Sequence, residues 1–191
     1  MLPEQITVTA LVTDALEALG VPYAIGGSFA SALHGVMRAT MDVDLIADLR
    51  REHVAPLVQA LGEVFYADAL MMHGAISQRR SFNLIHLASM FKVDVFVARS
   101  REFDRAQLAR RQLYLLSERP ECVAYVTSAE DTVLAKLEWY RSGGEISERQ
   151  WSDALGVLQV QGGRLDLTYM RHMADGLGVR DLLERAIQES T

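Results

Sequence analysis

In Asp42-Val43-Asp44-Leu45-Ile46, two carboxylates flank a single valine. The segment alternates as a strand does, so Asp42 and Asp44 share one face while Val43 and Leu45 share the other. Two carboxylates about 7 Å apart on one face repel unless a cation lies between them, and such hard oxygen donors suit Mg²⁺. Taken alone, an Asp-x-Asp pair is more often two solvated acids on an edge strand. The upstream context adds weight to the metal reading. Gly26-Gly27-Ser28 sits between a short strand and a short helix, where backbone N–H groups and a helix amino end favour a phosphate. By itself that segment is an ordinary strand-to-helix turn. Thirteen residues separate Ser28 from Asp42, enough for a helix and a loop to return to the same sheet edge. A third acid, Asp94, lies mid-strand in Lys92-Val93-Asp94-Val95-Phe96-Val97. There the valines form the core face and Lys92, Asp94 and Phe96 the other. An exposed sheet face would account for Asp94 alone; beside Asp42 and Asp44 it reads as a functional residue.

Other residues support this set less directly. Lys92 and Lys136 are the two lysines among 19 basic residues. Lys136 falls on a helix whose apolar face is read as Val133, Leu134, Leu137 and Trp139; it is either solvated or a compact point charge for a phosphate oxygen. Lys92 could simply pair with Asp94. Arg38 and Thr40 precede the acidic strand, where a cation could reach a phosphate, although a loop arginine is more often solvated. Arg149 and Asp153 are spaced i, i+4 and predict a helix-surface ion pair. His34 and His86 lack partners at ligand spacing and read as structural, while Met71, Met72, Phe65, Tyr66 and Phe82 read as core. From Arg99 to Arg119 six arginines face three acids, a modest basic stretch that is a solvated face or a surface for an RNA acceptor.

The elements that must carry these residues follow from periodicity. Helices are predicted over 4–19, 29–34, 52–61, 69–79 and 103–111, and strands over 23–25, 41–47, 82–86, 92–97, 113–116 and 123–126. From Ser128 onward the pattern is helical throughout. Ser128 with Asp131 predicts an N-cap, and Ser147 with Gln150 a capping box. Two closing helices are predicted over 167–176 and 179–187. Residues 1–126 thus form a mixed α and β unit and 127–191 a helical one, an α+β chain overall.

The constellation of Gly26-Gly27-Ser28, Asp42-Val43-Asp44 and Asp94 resembles the DNA polymerase β nucleotidyltransferase superfamily over about residues 20–100. The helical tail, through Lys136-Leu137 and through Arg149 and Asp153, resembles the bacterial branch that holds the AbiEii-like toxin nucleotidyltransferases. The resemblance implies a small mixed sheet flanked by helices and followed by an all-helical C-terminal region. It implies that Asp42, Asp44 and Asp94 are catalytic and hold two Mg²⁺ (or Mn²⁺) ions. Gly27 and Ser28 would then grip the β- and γ-phosphates of a nucleoside triphosphate, with Arg38 and Lys136 as further nucleotide-binding residues. An acceptor hydroxyl on a small molecule, a tRNA or a protein would attack the α-phosphorus, and pyrophosphate would leave. The alternatives are a non-catalytic nucleotide- or partner-binding protein of the same fold, or a toxin–antitoxin component acting on tRNA or protein. A second copy or a cognate protein is the expected protein partner.

Composition bounds these readings. With 191 residues, half of them hydrophobic, and a net charge of −6, the chain is neither disordered nor a broad nucleic-acid binder. Two Mg²⁺ ions would leave the carboxylate pocket attractive to a triphosphate despite that charge. One cysteine, Cys122, excludes a disulfide scaffold and fits a reducing cytoplasm. The first ten residues do not read as a secretory signal. The uncharged stretch from Ala18 to Met37 is broken by Gly20, Pro22 and Gly26-Gly27, so no membrane span is expected.

Overall fold

The computed structural model describes residues 4–35, 42–118 and 121–190. Its first helix, α1 (Glu4–Ala18), buries Val8, Val12, Ala15 and Leu16 at the predicted spacing. Gly20 stops it in the left-handed region (φ +65°), with the Val21 N–H returned to the Leu16 carbonyl at 2.9 Å. Strand β1 (Tyr23–Ile25) runs directly into helix α2 (Gly27–His34). Strand β2 (Asp42–Ala47) follows, then α3 (Val54–Leu61), β3 (Phe65–Tyr66), α4 (Ala69–Gln78), β4 (Ser81–His86) and β5 (Lys92–Val97). Helix α5 (Glu102–Ala109) and strands β6 (Gln112–Glu118) and β7 (Glu121–Val126) complete the mixed portion. Four helices close the chain: α6 (Ala129–Ser142), α7 (Glu148–Gln161), α8 (Leu167–Leu177) and α9 (Arg180–Glu189).

The strands form one mixed seven-stranded sheet in the order β3-β4-β5-β2-β1-β7-β6. Parallel pairing joins β2 to β5 and β1 to β7; the other pairs are antiparallel. The apolar residues of β2 and β5 pack with those of α1, α3 and α4 in one core. A second core gathers Phe103 of α5 with the apolar faces of α6 to α9. The α+β architecture and the change to pure helix after residue 127 are as the periodicity predicts. Among the described residues no helix is long and apolar enough to cross a membrane.

Four details differ from the sequence reading. The short strand β3 was not foreseen, and its alternation explains why Phe65 is buried while Tyr66 faces outward, 49% exposed. On α4, Met72 is buried but the adjacent Met71 points out of the core. On α6, Tyr140 takes the core position expected of Trp139, which is 54% exposed against the ring of Phe96. Both helix caps form as expected at the hydroxyl: Ser128 Oγ accepts the Asp131 N–H at 3.2 Å and Ser147 Oγ the Gln150 N–H at 3.4 Å. The Ser147 box is only half made, because Gln150 Oε1 is buried without a hydrogen-bond partner among the described residues.

Helix α2 lies between β2 and the pair α6–α7, and its carboxyl end touches α7 backbone to backbone. A Cβ placed on Gly35 would lie 2.8 Å from the Val157 nitrogen and 2.9 Å from the Gly156 carbonyl carbon. Neither backbone atom can rotate away, so the helices must separate. We expect Gly35→Ala to lower the urea-unfolding free energy by about 1–3 kcal/mol, an overpacking penalty. An unchanged midpoint would mean that α2 and α7 slide apart at little cost.

Candidate active site

The carboxylates owe their positions to strand register. In the parallel pair, Asp42 lies opposite Lys92, Val43 opposite Val93 and Asp44 opposite Asp94. Both strands show the same alternation of half-buried and buried residues. Asp42, Asp44 and Asp94 therefore share one sheet face, with Asp44 and Asp94 as direct neighbours at the usual strand spacing of about 4.8 Å. The antiparallel neighbour β4 adds Asn83 opposite Asp94. The other face carries Val43, Leu45, Val93 and Val95, all buried in the core. Branched apolar side chains on that side fix the pleat, which turns the acids to the opposite face.

The glycine turn is tied to this edge from β1. The Gly26 N–H donates to the Asp44 carbonyl at 2.8 Å. Gly27 has φ +57°, and a Cβ there would sit 1.8 Å from Asp44 Oδ2. The backbone thus passes against the carboxylate at a distance that only glycine permits. Helix α2 starts at this point with no side-chain cap on its amino end. Its first amides are of the kind that accept an anion. Ser28 is buried, and its Oγ accepts a hydrogen bond from Arg149 Nη2 at 3.1 Å.

The electrostatics of the face are uneven. The Asp44 carboxyl is pushed up to about 6, first by burial and then by the negative charges of Asp42 and Asp94, with Lys136 and Lys92 offsetting part of the effect. Lys92 Nζ lies 2.8 Å from Asp94 Oδ2, and this bond raises the lysine's own affinity for its proton. Lys136 is not solvated: it is 4% exposed, and its Nζ lies 2.8 Å from Asp153 Oδ2. Ser31 Oγ donates to the same carboxylate at 3.4 Å, which links α2, α6 and α7 through one acid.

This arrangement overturns the expected surface pair of Arg149 with Asp153. Helix α7 is packed against both α2 and α6, so the two side chains leave on different errands. Arg149 reaches Ser28, and Asp153, on the flank of buried Ala154 and Val157, serves Lys136. Sequence reasoning also missed Ser31; its place one helical turn after Ser28 was the available signal. Arg38 and Thr40 lie outside the described residues. His34 and His86 have hydrogen-bond partners, the Thr127 carbonyl at 2.7 Å and Ser89 Oγ at 2.7 Å, in keeping with structural roles.

The donor chemistry fits a hard divalent cation. Oxygen donors from Asp42, Asp44 and Asp94 share a face, and burial followed by the charges of Asp42 and Asp94 raises the Asp44 pKa, a penalty on its charge that a cation would relieve. In the present arrangement, no three acidic, histidine or cysteine side chains among the described residues close on one point. The Lys92–Asp94 bond is consistent with that: the lysine already neutralises one of the three acids.

No family model matches the chain, and no curated protein matches it in sequence. Solved structures with similar folds include an antigenic nucleotidyltransferase-like protein from Paracoccidioides brasiliensis. It is 18% identical with a TM-score of 0.58, over 97% of this chain and 92% of that one. The antibiotic-resistance factor ANT(2'')-Ia, in complex with adenylyl-2''-tobramycin, matches with 15% identity and a TM-score of 0.59, over 91% of this chain and 98% of that one. The lincomycin-bound lincosamide antibiotic adenylyltransferase LnuA matches with 15% identity and a TM-score of 0.50, over 83% of this chain and 98% of that one. The seven-stranded mixed sheet with its flanking helices is therefore the fold of the nucleotidyltransferases.

Proposed function

We propose that the chain transfers a nucleoside monophosphate from a nucleoside triphosphate to an acceptor hydroxyl, releasing pyrophosphate. One observation carries this reading: the β2–β5 register sets Asp94 beside Asp44, and the Gly27 turn lies against the same carboxylate. Asp42 and Asp44 would hold Mg²⁺ (or Mn²⁺), and Asp94 would join them by giving up Lys92. When bound, the metal supplies charge neutralisation for the phosphates and acidity for the attacking hydroxyl.

The protein's own groups do the rest. The amides at the start of α2 and the Ser28 hydroxyl hold the β- and γ-phosphates, with Arg149 fixing the hydroxyl. Lys136 adds a point charge from α6, held by Asp153. Arg38 is a further candidate for the nucleotide. The acceptor oxygen forms a bond to the α-phosphorus as the bond to the pyrophosphate oxygen breaks, and Asp94 takes the acceptor's proton. Such a site works by positioning and by matching charge.

The acceptor we favour is a small molecule. The adenylylated tobramycin in the ANT(2'')-Ia complex and the lincomycin held by LnuA show this fold serving compact hydroxylated acceptors, and both cover nearly all of their own chains here. Incubation with each α-labelled nucleoside triphosphate, Mg²⁺ or Mn²⁺, and separate pools of metabolites, tRNA and protein tests the assignment. Label should appear in the metabolite pool. Label in tRNA or protein would instead favour the toxin-type branch, and nucleotide binding with no transfer to any pool would favour the non-catalytic reading.

A further inference from the structure

A cavity of about 400 Å³ opens beneath α5, beyond the carboxyl ends of β2 and β5. Its charged lining is Arg79, Arg99, Arg105 and Arg111 against Asp48 and Asp104. Asp48 and Ala98 border it, each four residues past Asp44 and Asp94 along their strands. The cavity is thus roughly 13 Å from the carboxylates at the strand rise of about 3.3 Å per residue.

Three of these arginines are held differently from those that pair with acids, such as Arg141 on Asp181 and Arg171 on Glu184. Among the described residues, Arg99, Arg105 and Arg111 form no ion pair. The guanidinium of Arg105 is held by the Ser100 carbonyl and that of Arg111 by the Leu108 carbonyl. Arg111 also lies over the Tyr125 ring at 4.5 Å, and its Nε is buried without a hydrogen-bond partner. Carbonyls and a ring face orient a cation without cancelling its charge.

The acids in the lining do not restore balance. Asp104 is taken by Arg101, at 2.6 Å and 3.3 Å, and Asp48 is shared between Arg50 at 3.5 Å and Arg79 at 4.0 Å.

Arg79 adds a backbone argument. It caps α4 in the left-handed region at φ +51° and ψ +47°, a conformation that Gly178 supplies after α8. A side chain there costs about 1 kcal/mol. Its Nη1 donates to the Ala98 carbonyl at 2.7 Å, on the cavity wall. The chain thus accepts strain to bring a fourth guanidinium to this spot.

We propose that this cavity is a second anion site that takes the phosphate group of a small ligand, either a free phosphate or pyrophosphate or a nucleotide's phosphate ester. It opens to solvent, so a small anion can enter, and paired guanidinium forks match phosphate oxygens. It stands apart from the carboxylate face and needs no metal.

Calorimetric titration of the full chain in EDTA with inorganic phosphate, pyrophosphate or adenosine monophosphate separates the sources. At least one of these should bind, more weakly as salt is added. Arg99→Gln and Arg105→Gln, both at exposed positions, should each weaken binding about tenfold with the melting temperature kept, while Asp44→Asn leaves it unchanged. Failure of all three probes to bind, binding indifferent to both arginine variants, or binding lost with Asp44→Asn would overturn the assignment. Nucleotide transfer does not enter this test, so its outcome is independent of the proposed activity.

Discussion

Replacing Asp44 with asparagine should abolish nucleotide transfer and, at the same time, make the ligand-free protein more stable at neutral pH. The activity loss follows from the position of Asp44 at the crossing of the acid pair and the glycine turn. In the proposed mechanism Asp44 would hold the metal, and removing such a carboxylate would forfeit several kcal/mol of charge stabilisation, on the order of a 10³-fold loss in rate. The stability gain follows from its titration. Burial and the charges of Asp42 and Asp94 push the Asp44 carboxyl from 3.8 up to about 6. A group whose pKa is raised on folding favours the folded state below its unfolded value, and that contribution is lost as pH rises through the folded one. Wild-type stability should therefore fall between about pH 4 and pH 6, by something on the order of 3 kcal/mol at most. The asparagine variant has no such charge to bury and should lack this loss. Urea unfolding at pH 5 and pH 8 in EDTA reads the difference directly. Adding Mg²⁺ at pH 8 should then stabilise the wild type and leave the variant where it was. If both proteins lose stability equally between the two pH values, Asp44 is not the group under strain.

Gly27→Ala should be nearly as damaging, for a steric reason. The added Cβ would fall 1.8 Å from Asp44 Oδ2 and 2.6 Å from its Cγ, so either the carboxylate or the turn must move. A shift of about 1 Å at a reacting centre is worth about 10²-fold in rate. Part of the cost is the left-handed backbone itself, and Gly20→Ala isolates it. Gly20 has a similar φ of +65°, yet a Cβ there would meet nothing within 4 Å. Both variants should lose about 1 kcal/mol of stability from backbone strain. Only Gly27→Ala should lose transfer activity and, with it, tight triphosphate binding. Equal activity in the two variants would mean that the turn does not bear on the carboxylate.

Much of this site was legible in the chain because its logic is local. Alternation alone puts Asp42 and Asp44 on one face and Asp94 on the face opposite to its valines. The helices and the strands other than β3, and the hydroxyl caps at Ser128 and Ser147, were equally local and appear close to where periodicity put them. Alternation cannot say which strands are neighbours, and the step from three acids to one shared sheet face needed the β2–β5 pairing. Side chains that act across helices were out of reach for the same reason. Nothing in an i, i+4 spacing tells Arg149 and Asp153 to part company, one for Ser28 and the other for Lys136. The basic run from Arg99 was visible as charge, but its recruitment of Arg79 from α4 into a concave pocket depends on the fold. Trp139 and Tyr140 show a finer limit: adjacent aromatic residues on a helix differ by about 100° of rotation, and composition does not choose between them.

Helix α2 is bolted at both ends by parts of the chain that lie more than a hundred residues away. Arg149 holds Ser28 near its start, Asp153 holds Ser31 in its middle, and Gly35 abuts Val157 where it finishes. The turn that would grip phosphate belongs to the first half of the sequence, but its rigidity is on loan from the last third. Anyone trimming the chain to a minimal catalytic unit at residue 127 would keep every acid and lose the scaffold that aims them. In engineering terms, the helical tail is the chassis of the site, and variation in α7 offers a way to retune it without touching a single aspartate.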